Sequence, residues 1–246
     1  MNGKTLEQQS SVFSKKMEAV KAKINPSFPW YPYGSLNNFI HLKNIFDKYP
    51  LDSLAKKGSK TLDIGAADGD LAFFLESLGY QADIIDYPPT NFNHLQGAKH
   101  IKQHLGSLMD IREADLDSQF PALTQKYSLI FFLGILYHLK NPYFVLETLS
   151  RSTEYLLVST RIAKYTKDGT KISSYPVAYL LGPQEANNDS TNYWIFSYKG
   201  LERIFERTGW TITEMYSVGD TSNSNPSDQD HDERAFALLK SKNFQY

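Results

Sequence analysis

The stretch that most constrains this chain is Thr61-Leu62-Asp63-Ile64-Gly65-Ala66-Ala67-Asp68-Gly69-Asp70, an apolar run entering a turn of small residues and then a helical pattern. Small residues let the backbone turn sharply and approach a ligand closely, at the positive end of the following helix. Such a turn is built to hold a nucleotide. A dinucleotide fingerprint would need small residues at 65, 67 and 70, but position 70 is Asp, an anion where a pyrophosphate would sit. A phosphate-binding P-loop is excluded because no Gly-Lys-Ser/Thr follows.

The segments 61–64, 82–86, 127–133, 155–160, 210–218 and 235–240 read as strands, with 109–114 a weakly defined one between the second and the fourth. Helical stripes at 70–78, 95–105, 142–149 and around 201–205 alternate with them. This alternation predicts an α/β fold, a Rossmann-like, seven-stranded, mostly parallel sheet with helices on both faces. Residues 1–58 lie outside that rhythm. They read as a helical extension over 5–23 that stops before Asn25-Pro26, the aromatic loop Phe28-Pro29-Trp30-Tyr31-Pro32-Tyr33-Gly34, and a second helix ending near Pro50. The nucleotide-binding domain is then 59–246, interrupted after the fifth strand by a polar and aromatic insertion over 162–194. An insertion of this length is expected to be a lid or binding loop.

The chain of 246 residues is 41% hydrophobic, enough for one large α/β core. Its 26 basic and 27 acidic residues give a net charge of -1, so no global field favours nucleic acid or an anionic membrane. Without cysteine there is no thiolate chemistry and no disulfide framework. The amino-terminal residues lack the apolar run of a signal peptide, and no apolar stretch reaches the roughly 20 residues that span a bilayer, so a cytoplasmic protein is expected.

The motif at 63–69 resembles that of the class I S-adenosylmethionine (SAM)-dependent methyltransferases: an acidic residue, one residue, then G-x-G-x-G, with Ala67 in place of the middle glycine. The resemblance implies that Asp63 and the Gly65, Ala66, Ala67 and Gly69 turn meet the methionine moiety of SAM, with S-adenosylhomocysteine (SAH) as product. Asp86, 21 residues beyond Gly65 at the end of the second strand, is placed to accept two hydrogen bonds from ribose hydroxyls, or else serves as a turn or cap residue before Tyr87-Pro88-Pro89. Tyr87 would cover the adenine. Asp115-Leu116 resembles the family's adenine contact, with Asp110, Glu113 and Asp117 as competitors. Leu133 and Gly134 complete the expected cofactor contacts.

The segment Leu133-Gly134-Ile135-Leu136-Tyr137-His138-Leu139 resembles, within that superfamily, the branch of the tRNA wobble-uridine carboxymethyltransferase, as do Asn192-Tyr193-Trp194-Ile195-Phe196-Ser197 and Gly209-Trp210. That implies a place for Tyr137 near the transferred group. His138 is the ionisable group most suited to act there, as a base or as a structural partner of the strand end. The relative's aromatic loop carries an Arg-Lys pair suited to a carboxylated SAM. Here Gly34-Ser35-Leu36-Asn37-Asn38 follows the aromatics, so plain SAM is favoured unless Arg161, Arg234 or Lys140 supplies the cation.

The expectation is methyl transfer to a small or medium-sized acceptor lined by Trp30, Tyr31, Tyr33, Tyr175, Tyr193 and Arg161. Transfer to tRNA and a non-catalytic SAM-binding regulator are the competing readings. No metal is expected. His100 and His104 are spaced to clamp one but lack a third ligand, and Asp228, Asp230 and Asp232 lack the Gly and Glu of a calcium loop.

Overall fold

Helix α1 (Gly3–Ile24) forms because Leu6, Phe13, Met17 and Val20 share one buried face. The Asn2 side chain caps its start through the Thr5 N–H, and Asn25, in the left-handed conformation, ends it before Pro26. The computed structural model describes residues 1–118 and 125–245. These fall into two compact units, one comprising Met1–Asp115 with Tyr127–Phe131, the other the remaining described residues.

In the first unit α1 is followed by α2 (Phe39–Lys48) and α3 (Leu51–Leu54). Then come β1 (Lys60–Ile64), α4 (Asp70–Ser77), β2 (Gln81–Asp86), α5 (Gln96–Leu105), β3 (Ile111–Glu113) and the start of β4 (Tyr127–Leu133). The strands lie in the order β3, β2, β1, β4, all parallel. Register sets Ile64 beside Ile85 and Asp86 beside Glu113, so these three strands finish at one level. The amino-terminal helices pack here: Phe13 and Phe39 meet Phe74 of α4 with ring centres 5.5 and 5.3 Å apart. Phe39, Phe46 and Phe74 are fully buried, each contributing roughly 1.5–3 kcal/mol.

The second unit holds the end of β4, α6 (Pro142–Ser150), β5 (Thr153–Ile162), β6 (Ala178–Leu180), β7 (Trp194–Phe196), α7 (Tyr198–Arg207), β8 (Trp210–Gly219) and β9 (Glu233–Ser241). Strand β9 runs antiparallel to both β5 and β8, and Trp210 is buried with its indole N–H on the Leu146 carbonyl at 3.1 Å. Pro142 opens α6, and Asp117 accepts the Lys140 and Asn141 N–H groups just ahead of it.

The class is α/β with a mostly parallel central sheet flanked by helices, as the alternation predicted. The seven expected strands correspond to β1 to β5, β8 and β9. Strands β6 and β7 are additional, and the insertion contains more than loop: Ala163, Ile172, Leu181, Ala186 and Ile195 form a small core, with Val177 and Tyr179 packed on it. Sequence patterning missed these strands because three residues show no period. Among the described residues no helix is long and apolar enough to cross a membrane.

Candidate active site

In the first unit, β1 leads into a turn whose backbone is left-handed at Gly65, Ala67 and Gly69, with φ of 71°, 57° and 84°. Gly69 is required twice over, since a Cβ there would also lie 2.8 Å from Ile84 Cδ1. Ala67 is the surprise. The position that resembles a family glycine does need positive φ, so its alanine is strained by about 1–2 kcal/mol. Gly69 supplies no side-chain cap to α4, and among the first N–H groups of that helix the Ala72 N–H goes to the Asp63 carboxyl.

Asp63 is buried beneath this turn, and its Oδ2 has no hydrogen-bond partner. Burial, and then the charges of Asp86 and Asp70, push its carboxyl up to about 8, against a hydrogen bond from the Ala72 N–H. Asp86 is also raised by burial, although donors hold it. Its Oδ2 accepts from Ala67 N–H at 3.1 Å and Asn91 Nδ2 at 3.0 Å, and its Oδ1 accepts from Tyr87 N–H at 2.7 Å. A carboxylate has about four lone-pair sites, so one remains, on Oδ1. That is room for one sugar hydroxyl, where the sequence suggested two.

Asp68 is a hub. Its Oδ2 takes Lys21 Nζ at 3.0 Å and Tyr31 N–H at 2.9 Å, and its Oδ1 takes Asn93 Nδ2 at 2.7 Å. Asn93 also donates to the Pro29 carbonyl. Lys21 reaches Asp70 at 2.9 Å and lies over the Trp30 ring. Burial works against the Lys21 charge, yet Asp70 and Asp68 raise its pKa above the ordinary value. Trp30, Tyr31 and Tyr33 come together, lining with Met17, Lys21 and Asp70 a cavity of about 420 Å³. Asp115 follows Ala114, whose N–H bonds the Asp86 carbonyl. Its competitors are engaged elsewhere: Asp110 with Arg112, Glu113 with Lys99, and Asp117 at the start of α6.

In the second unit the end of β4 brings Leu133 to Gly134, left-handed at φ 76°, whose N–H bonds the Ser159 carbonyl. A helical turn over Leu136–His138 then sets the Tyr137 and His138 rings 4.3 Å apart. His138 Nδ1 lies 3.1 Å from the Thr191 carbonyl. A carbonyl only accepts, so Nδ1 carries the proton and Nε2 presents a lone pair. Burial lowers the His138 pKa, and the Arg234 charge adds to this against Thr191 and Asp189. The imidazole is therefore neutral at pH 7. Tyr193 joins this group through its N–H to the Tyr137 carbonyl at 2.8 Å, and its ring lies under Lys140. Arg161 is buried, whereas Tyr175 stands 64% exposed. Leu116 is buried in the same unit.

Residues 41–215 match a family described as a methyltransferase domain. The chain belongs to that methyltransferase family. Solved structures share the fold of this methyltransferase. The N-terminal domain of EvdMO1 with SAH bound is 12% identical, with a TM-score of 0.55 over 93% of this chain and 97% of that one. Coclaurine N-methyltransferase bound to N-methylheliamine and SAH is 11% identical, with a TM-score of 0.58 over 89% and 76%. TehB from Haemophilus influenzae is 16% identical, with a TM-score of 0.54 over 83% and 66%. No curated protein matches in sequence.

Sequence reasoning did not single out Lys21, Asn91 or Asn93 in this methyltransferase. Lys21 had a signal: it lies four residues beyond Met17, at the end of the apolar face of α1. The two asparagines, in Thr90-Asn91-Phe92-Asn93, look like ordinary turn residues. His100 packs its ring on Phe28, Asp228 accepts the Asp230 N–H, and Asp232 pairs with Arg161. Among the described residues no group of three or more metal-ligating side chains converges.

Proposed function

We propose that this methyltransferase binds SAM on the turn after β1 and transfers its methyl group to a small or medium-sized acceptor. The observation that carries the reading is the buried, unpartnered oxygen of Asp63 beneath a left-handed turn. An orphaned buried carboxyl is costly. The ammonium of an amino acid is the partner it lacks, and a cationic donor suits the surplus of carboxylates at Asp63, Asp70 and Asp86.

The residues divide the work. Asp63 would hold the methionine ammonium, the turn backbone at the start of α4 would face its carboxylate, and the remaining Asp86 lone pair would take a ribose hydroxyl. Tyr87 and Asp115, in the same unit, are proposed for the adenine. SAM supplies an electrophilic methyl group on a sulfonium. The chain's task is to hold and desolvate the reactants. His138 Nε2, kept basic by the Thr191 contact to Nδ1, takes the proton that an acceptor N–H or O–H loses.

Calorimetry with SAM and SAH tests this. Binding of both tighter than ~1 mM, or about −4 kcal/mol, is expected, and silence with both refutes it. A second reading, carboxymethyl transfer to tRNA, rests on the resemblance of the Tyr137 segment and on the presence of Arg234 over the Tyr137 ring. The mass of the co-purified nucleoside separates the two, since plain SAM or SAH favours methyl transfer.

A further inference from the structure

In the second unit the β5–β9 register sets Arg161 directly opposite Arg234. Opposed residues of an antiparallel pair project to the same face, and like charges so placed repel each other. Of the two, only Arg161 has a carboxylate partner among the described residues. Asp232 binds Arg161 Nε, while Arg161 Nη1 is buried with no hydrogen-bond partner. Arg234 has no carboxylate partner among the described residues and lies 5.7 Å from the centre of the Tyr137 ring.

Glu233 offers no relief. As the neighbour of Arg234 it projects to the opposite face of β9, where the Ser217 and Ser224 hydroxyls donate to it at 2.6 and 2.5 Å. Ser159, two residues before Arg161 on the same face of β5, adds another buried hydroxyl without a partner. A Cβ built on Gly134 would lie 3.6 Å from the Tyr137 hydroxyl and 3.7 Å from Arg234 Nη1, so these two polar ends converge over that glycine.

Two buried unmet donors, one of them cationic, beside a second guanidinium on the same face describe the imprint of an anion. Guanidinium forks match the two oxygens of a carboxylate or phosphate, and a lone chloride or a neutral group would leave donors unsatisfied. We propose that this face binds an oxyanion, a carboxylate or a phosphate, carried by the methyl acceptor. The inference rests on the methyltransferase reading above and narrows its substrate class.

The test uses the full chain saturated with SAH, titrated calorimetrically with inorganic phosphate and, separately, malonate. Saturable binding of at least one is expected, weakened about tenfold or more in Arg234→Gln and partly restored in Arg234→Lys, with SAH affinity unchanged. Arg161→Gln alters a buried side chain and risks misfolding, so the less buried Arg234 carries the decision. The response to the two probes tells carboxylate from phosphate. The proposal is overturned if neither anion binds, or if Arg234→Gln binds both as well as the parent does. It is also overturned if Arg234→Gln loses SAH, which assigns the pair to the cofactor, or if the co-purified nucleoside carries an added carboxyl group, which assigns it to the donor. Because SAH binding is read separately, loss of the anion site alone leaves the cofactor reading standing.

Discussion

The two units carry opposite kinds of unfinished electrostatics. Around the turn after β1 the excess is negative: among the described residues Lys21 pairs with Asp68 and Asp70, Asp86 is held by neutral donors, and Asp63 keeps an unpartnered oxygen. Around Tyr137 the excess is positive, with Arg161 and Arg234 opposed across β5 and β9 and, among the described residues, a carboxylate partner for Arg161 alone. Folding alone gains nothing from either surplus, because unpaired buried charge costs free energy. In the function proposed above, each region is completed by what it binds: a cation in the first, an anion in the second.

Removing the base from the positive region should have the largest effect. His138→Ala should lower kcat about 10²–10⁴-fold in steady-state assays, with SAH affinity intact. The parent's rate should fall as pH drops through a value below the ordinary 6.5 of histidine, because burial and Arg234 both disfavour the imidazolium. A flat profile would assign His138 a structural role.

Next in size is the cation of the negative region. Lys21→Met strands Asp68 and Asp70, and the cost should be about 3–5 kcal/mol in denaturant unfolding. A loss below about 1 kcal/mol would mean that those carboxyls protonate or reach water instead.

Asp63→Asn should weaken SAH by roughly tenfold to hundredfold, the worth of a hydrogen bond to a charged group. The pH dependence sharpens this. Between the ordinary carboxyl value of 3.8 and about 8 the folded chain holds on Asp63 a proton that the unfolded chain has lost, so this group's contribution to stability falls as pH rises through that window. SAM binding at pH 7 should then release a proton, visible as a binding enthalpy that varies with the buffer's ionisation heat. Asp63→Asn should abolish that variation.

Smallest is Ala67→Gly, which relieves positive φ and should stabilise the fold by up to about 1 kcal/mol, a few degrees of Tm.

Much of the frame was legible in the sequence. Most of the expected strands are apolar runs, the half-charged third at 109–114 being the weakly marked one, and the turn at 65–69 announces itself through small residues. The sign of φ at Ala67 was not legible, because an alanine favours negative φ and the local sequence does not report the strain. Lys21 meets Asp68 across 47 residues and Arg161 meets Arg234 only through strand register, and no local pattern reports such meetings. Likewise, Asp86 could be named, but not that the Ala67, Tyr87 and Asn91 donors already occupy most of it.

The insertion between β5 and β7 buries Ala163, Ile172, Leu181, Ala186 and Ile195 against one another. A segment that supplies its own hydrophobic nucleus is partly self-contained. Changes confined to that nucleus would leave the β5–β9 and β8–β9 pairings in place, whereas replacing the whole segment would also remove the pairing of β6 with β7.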